Sequence, residues 1–190
     1  MALESSTDLT HWAPIQTNGT PACAIELQKR LVIAKIGKTT VPFHSVLPDL
    51  AQREVRCIHL SDAPGLKPTS DLQAGEYAYI EFYCPDLECD CRRVFLQVIA
   101  RHRQDQVLAS INYGWEKETF YRKRLPFDPD APRQITRGSL DPLNGQSEHA
   151  EALLELFRRF VLDEPYRLRL RRHYQVFRDE LRRRQIAAER

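Results

Sequence analysis

The chain has 190 residues, 42% hydrophobic and 28% charged. That suffices for one real core and matches an ordinary globule, which excludes a low-complexity or fibrous chain. The formal net charge is only +2, so bulk attraction to nucleic acid is not predicted and the placement of charge matters instead.

The opening residues, Met1-Ala-Leu-Glu-Ser-Ser-Thr-Asp8, show neither the basic nor the apolar region of a secretory signal. No window approaches the ~18 apolar residues of a membrane span. A cytoplasmic protein with reduced thiols and no membrane contact is expected. Clustered cysteines in such a compartment more often bind metal than pair, and the odd count of five agrees. Residues 1–25, rich in Thr, Ser, Pro, Asn and Gly, read as a flexible N-terminal arm pinned at most by Trp12. Residues 26–190 read as a single α+β domain.

Leu31–Ile36 is the first compact apolar run, and Gly37-Lys-Thr-Thr40 turns it toward Val41-Pro-Phe-His44, where Pro42 confines the second arm to a sheet edge. Gly37-Lys38-Thr39 has the look of a phosphate-loop ending, but Val32 stands where that loop needs glycine, so the reading is discarded. Leu47–Arg53 suits a short helical turn. Glu54–Leu60 reads as a strand with Val55, Cys57 and His59 on one face. Ser61–Ala74, with Pro64-Gly65 and Pro68, reads as a loop.

The clearest β signal follows. From Glu76 to Cys84, residues Ala78, Ile80, Phe82 and Cys84 share one face, and Tyr77, Tyr79, Glu81 and Tyr83 the other. Arg93–Arg101 and Val107–Tyr113 alternate in the same way, giving a three-stranded antiparallel meander within a sheet of about 30–115. Residues 116–147, with Pro126, Pro129, Pro132 and Pro142, read as a long loop of little regular structure, either functional or a hinge. A helical hairpin is predicted over 148–186. Ser147 is its N-cap; Ala150, Leu153, Leu154, Phe157, Phe160 and Val161 recur at helical spacing. Asp163-Glu-Pro165 breaks the first helix, and Leu170, Tyr174, Phe177 and Leu181 stripe the second. The expected fold class is α+β: an antiparallel β-sheet with a metal-binding cysteine turn, packed against this hairpin.

The turn itself is Cys84-Pro-Asp-Leu-Glu-Cys89-Asp-Cys91, three of the five cysteines within eight positions. Thiolate sulfur is a preferred zinc donor, and four donors make a structural site. Cys89 and Cys91 are two apart and lie on one side of an extended segment, while Pro-Asp-Leu-Glu curls the chain back toward Cys84. Arg92 and Arg93 stand next to the sulfurs to offset their charge. The spacing C-x4-C-x-C falls one residue short of the plant-type ferredoxin pattern, so zinc is preferred to an iron–sulfur cluster. For a fourth ligand the sequence offers Cys57 first and His59 second. His102 lies ~35 Å along the strand and is rejected, and Cys23, in the arm, ranks below. Asp86 and Asp90 are read as turn formers rather than ligands. The competing readings are reduced thiols packed as small hydrophobes and a redox or catalytic centre.

Phe82-Tyr-Cys84, Cys89-Asp-Cys-Arg-Arg-Val94 and Ile111-Asn-Tyr-Gly-Trp115 together resemble a family of uncharacterised bacterial proteins. The resemblance spans about the middle third and the helical end. It implies no activity; it marks the cysteine turn as a shared feature.

On the last helix Arg167, Arg171, Arg178 and Arg182 fall along one stripe, extended by Arg183 and Arg184. Such a stripe suits a nucleic acid or an acidic protein partner. The blander reading, which is favoured, has the Arg stems covering the apolar edge and pairing with Glu148, Glu151 and Glu155. A homo-oligomer is left open. No hydrolase, zincin, deaminase or dinucleotide signature appears, so no catalytic residue is assigned. The chain reads as a small cytosolic protein with a structural zinc site, acting as a binding or adaptor module. The alternatives are a nucleic-acid-binding module and a metal- or thiol-dependent enzyme.

Overall fold

The computed structural model describes residues 16–17, 40–60 and 72–189. The expectations for Leu31–Ile36, for the turn at Gly37, for Cys23 and for most of the loop before Gly75 lie outside the described residues. Seven strands among those described form one antiparallel sheet: β1 (Gln16–Thr17), β2 (Val41–Pro42), β3 (Arg56–Leu60), β4 (Gly75–Tyr83), β5 (Arg93–Ala100), β6 (Gln106–Gly114) and β7 (Ser139–Leu140). Their order is β1-β3-β4-β5-β6-β7, with β2 pairing β4 beyond the end of β3. Among the described strands Pro42 is paired to β4 alone, where its missing N–H is tolerated. Part of the N-terminal segment is in the sheet, since Gln16 and Thr17 pair with His59 and Ile58.

Strands β4, β5 and β6 form the expected meander, with Tyr79 opposite Val98 and Leu96 opposite Ile111. One face presents Tyr77, Tyr79, Tyr83, Val94, Leu96, Val98, Ala109, Ile111 and Tyr113. The C-terminal helical hairpin packs on that face. Its first arm is α5 (Ala150–Leu156), continued by a π-turn over Phe157–Val161; the second arm is a 25-residue helix, Glu164–Ala188. Phe157 meets Tyr79 and Tyr113, both at 5.9 Å, and Tyr83 meets Tyr174 and Phe177. The opposite face, with Ala78, Ile80, Phe82, Phe95 and Ile99, is buried too. Burial on both faces is why β4 and β5 read as nearly continuous apolar runs.

Cys57 and His59 share one face of β3, as read; the opposite face, Arg56, Ile58 and Leu60, is the buried one. The tertiary fold offers Arg56 a carbonyl and a carboxylate, which no local periodicity could reveal. Two expectations need correcting, besides the start of this strand, since Glu54 ends α2 (Pro48–Glu54). The stretch 116–147 is not featureless. It holds two short helices, Glu118–Arg122 and Ala131–Arg137, and β7. Pro132 stands in the first turn of the second helix, where a missing N–H costs nothing. Finally, His149 rather than Ser147 precedes α5; the Ser147 hydroxyl instead accepts from the His149 N–H at 3.2 Å.

In chain order the helices are α1 (Phe43–Val46), α2 (Pro48–Glu54), α3 (Glu118–Arg122), α4 (Ala131–Arg137), α5 and α6, the last being Glu164–Ala188. Asp163 caps α6, its carboxylate accepting from the Tyr166 N–H at 2.8 Å. Among the described residues no helix is long and apolar enough to cross a membrane.

The elbow between α5 and α6 is locked by Arg56. This side chain is 3% exposed and donates to the Val161 carbonyl at 3.1 Å and to Asp163 Oδ2 at 2.8 Å. Asp163 is partly solvated, which tempers the value of the ion pair. Arg56→Met is expected to lower the unfolding free energy by about 2 kcal/mol in urea titration, with far-UV circular dichroism unchanged.

Candidate metal centre

The turn joining β4 to β5 is built from short local hydrogen bonds. The Cys89 N–H donates to the Asp86 carbonyl at 3.2 Å, and the Asp86 carboxylate accepts from the Glu88 N–H at 2.9 Å. Asp86 is thus a turn former, as its residue type suggests. Asp90 is held away from the sulfurs by ion pairs to Arg92 at 2.7 Å and to Arg124 at 2.9 Å. At the exit Arg92 takes a left-handed backbone (φ 46°), unusual for a side chain with a Cβ, and swings the chain into β5.

These bends gather Cys84, Cys89 and Cys91, with all three sulfurs within 4.8 Å of one another. The three are partly buried free thiols. The interaction with the Cys91 thiol, with a smaller one from Cys89, draws the Cys84 thiol down to about 6 against the opposing effect of burial. The interaction with Cys84, with burial, pushes Cys91 up. One thiolate is therefore easily formed and shared, a favourable start for a cation that displaces the remaining protons.

The turn is clamped from the far end of the chain. Arg178 on α6 is 8% exposed. It donates to the carbonyls of Asp86 at 3.2 Å, Cys89 at 2.8 Å and Leu87. Its guanidinium lies 5.4 Å from the Tyr174 ring, which in turn meets Trp115 at 5.2 Å. The segment Asn112–Trp115 now has a physical account. Asn112 donates to Asp141 at 2.6 Å, Tyr113 enters the core, and Trp115 backs Tyr174. A Cβ on Gly114 would collide with the hydroxyl of Tyr121. That hydroxyl donates to the Arg92 carbonyl at 2.7 Å and so braces the turn's exit.

The structure brings together three of the four metal ligands read from the sequence. Cys57 pairs with Ala78, six residues before Cys84 and therefore ~20 Å from the cluster; its sulfur is in a disulfide, so the expectation of reduced thiols throughout does not hold. His59 is farther, opposite Glu76, and exposed. Strand adjacency suggested both, but the antiparallel register carries them to the other end of the sheet. Among the described residues no further His, Cys, Asp or Glu joins the three sulfurs.

The arginine stripe is also divided by the fold. Arg178 points inward onto the turn and is closed to any ligand. Arg167 donates to the Leu162 carbonyl at 3.3 Å, and Arg182 pairs with Asp179 at 2.8 Å. Arg171 is exposed. The acids that pair with this helix are not those of α5. Arg169 and Arg172 meet Glu54, while Arg183 and Arg184 meet Glu180. Arg92, assigned to the thiolates, is taken by Asp90 and Glu116.

A second polar cluster escaped sequence reasoning. His173, 1% exposed, places Nδ1 at 2.7 Å from Glu81 and Nε2 at 3.0 Å from Glu54. Tyr83 donates to Glu81 at 2.8 Å, and Phe43 stacks on the imidazole at 4.5 Å. Burial raises the Glu54 carboxyl, but hydrogen bonds and charge from His173 and Arg172 outweigh it and hold the group below the usual range. Phe43, His44, Glu54, Glu81 and His173 also line a small pocket, partly open to solvent. Both ring nitrogens of His173 are engaged, so the cluster serves as a pin joining α2, β4 and α6. Its three members come from distant segments and form no local motif; the only hint was a glutamate inside a buried strand. His173→Leu would strand the Glu81 carboxylate and is expected to cost about 3–5 kcal/mol by denaturant unfolding. Glu81→Gln in the same chain should restore part of that loss.

No family model, no curated protein and no solved structure matches this chain.

Proposed function

We propose that the protein is a small cytoplasmic zinc protein in which Cys84, Cys89 and Cys91 hold one structural ion at the tip of the β4–β5 hairpin. The observation that carries this reading is the convergence of three sulfurs within 4.8 Å in a single short turn. Thiolates around one zinc ion sit ~2.3 Å from the metal and hence ~4 Å from one another, so only a small closure is needed. Three soft thiolate donors select zinc or another thiophilic ion over magnesium or calcium. The fourth donor is a water or a side chain from beyond the described residues. In this reading the ion fixes the turn, and the chain acts as a binding or adaptor module. The likeness of the turn to that of a bacterial family belongs to the same proposal.

A metal-dependent enzyme is the second reading. It is favoured by one observation: three protein donors with none further among the described residues match the ligand count of a catalytic zinc site.

Elemental analysis of protein purified without added zinc should find about one zinc per chain. Cys89→Ser should abolish that content and lower the melting temperature, as should a strong chelator. A metal-free wild-type protein, equally stable with and without chelator, would defeat the reading. Arg178→Met should weaken zinc binding about 10–100-fold in a competition titration, because it frees the carbonyls that hold the turn.

A further inference from the structure

We infer that Cys84 and Cys91 form a reversible oxidation site, a dithiol that closes to a disulfide and so expels the metal. The inference rests on the metal reading for the release of zinc, whereas the pairing of the sulfurs rests on geometry alone.

Of the three sulfurs, Cys84 and Cys91 flank the neck of the turn. Cys84 directly follows β4, and Cys91 stands two residues before β5. The strands they join are held by an antiparallel ladder running to Phe82 opposite Phe95, so the neck cannot spread. All three sulfurs lie within 4.8 Å of one another, so the two at the neck are already close. Cys89 and Cys91 are poorer partners for each other. A span of two residues reaches up to ~7 Å between α-carbons, at the outer limit for an unstrained disulfide. Arg178 grips the carbonyls of Asp86, Leu87 and Cys89. None of those contacts uses a sulfur, so the clamp holds the turn in either state. Cys89 and Cys91 are half-buried, and Cys91, at the neck, gives a small oxidant access.

The oxidant is a peroxide. One of the two thiolates attacks a peroxide oxygen; the O–O bond breaks, a sulfenic acid forms, and the departing hydroxide is protonated to water. The second thiolate attacks that sulfur, the S–S bond forms, and the sulfenic hydroxyl leaves as a second water. Two thiolates, two protons and one hydrogen peroxide thus yield one disulfide and two waters, with sulfur oxidised and peroxide reduced. Zinc loses two of its donors and leaves. A dithiol reductant reverses the step by thiol–disulfide exchange.

The test treats the full-length chain, zinc-loaded and chelator-stripped, with hydrogen peroxide. Released zinc is read with a colorimetric chelator, and free thiols are alkylated. Cleavage at Glu88 and at Asp90 separates the three cysteines for mass spectrometry. The loaded protein is expected to release about one zinc and lose about two thiols per chain, with Cys84 bridged to Cys91. Dithiothreitol should restore both. Cys89→Ser should keep the bridge, and Cys91→Ser should lose it. A bridge from Cys89 to either neighbour overturns the inference. So does oxidation to sulfinic acids without a bridge, and so do thiols that survive the treatment. If the protein binds no zinc, the metal reading fails by itself, and bridge mapping on the metal-free chain still decides the pairing.

Discussion

The guanidinium of Arg178 ties the last helix to the turn that carries the cysteines. Its donors meet carbonyls that a tight turn would otherwise leave short of partners, and a buried arginine needs such acceptors in return. Each side of the contact therefore satisfies the other. The turn stays bent because α6 is seated on the sheet, and α6 is seated through Leu170, Tyr174 and Phe177, all buried. The geometry of the sulfurs is in this sense a property of the whole core rather than of eight residues.

The same helix carries the second polar anchor, one turn earlier. His173 receives carboxylates from β4 and α2, and Arg169 and Arg172 surround the latter. Buried ionic groups of this kind add little net stability compared with apolar packing, but breaking one is costly. Their effect is to define a single register between α6 and the sheet. A slip of one helical turn would leave Glu81 without its imidazole and the turn's carbonyls without Arg178. Tyr83, between the two anchors, contacts both regions: it donates to Glu81 and lies 6.0 Å from Tyr174.

Charge on α6 is accordingly met mostly by acceptors of the same chain, at the surface for all but Arg178. An unbroken arginine stripe on a helical projection suggests a polyanion surface. In the fold, one of the four guanidiniums is buried on the turn, and two more meet a carbonyl and a neighbouring aspartate. Arg stems covering apolar surface, with acids from α2 and from α6 itself, account for the pattern.

Much of this was legible in the residues. Alternation assigned the two faces of β4, β5 and β6, because successive side chains of a strand point to opposite sides of the sheet. Helical spacing identified the hairpin, and Asp163 ahead of Pro165 located its break. The close spacing of Cys84, Cys89 and Cys91 located the site, since sulfurs eight residues apart or fewer need only a local turn to meet. Local periodicity failed where a distant partner set the outcome. The inward turn of Arg56 and the His173 pin depend on contacts across tens of residues, and the role of Gly114 on a close approach by Tyr121 that periodicity does not show. Cys57 and His59 were assigned by strand adjacency, but antiparallel register, a long-range quantity, carried Cys57 ~20 Å away and His59 farther. The sequence by itself determined the central meander, the helical hairpin and which three sulfurs meet, because those follow from short-range spacing. Only the tertiary structure decided which arginines and acids face inward and what holds the turn, because the free energy of a buried polar group is set by partners that the chain brings together only on folding.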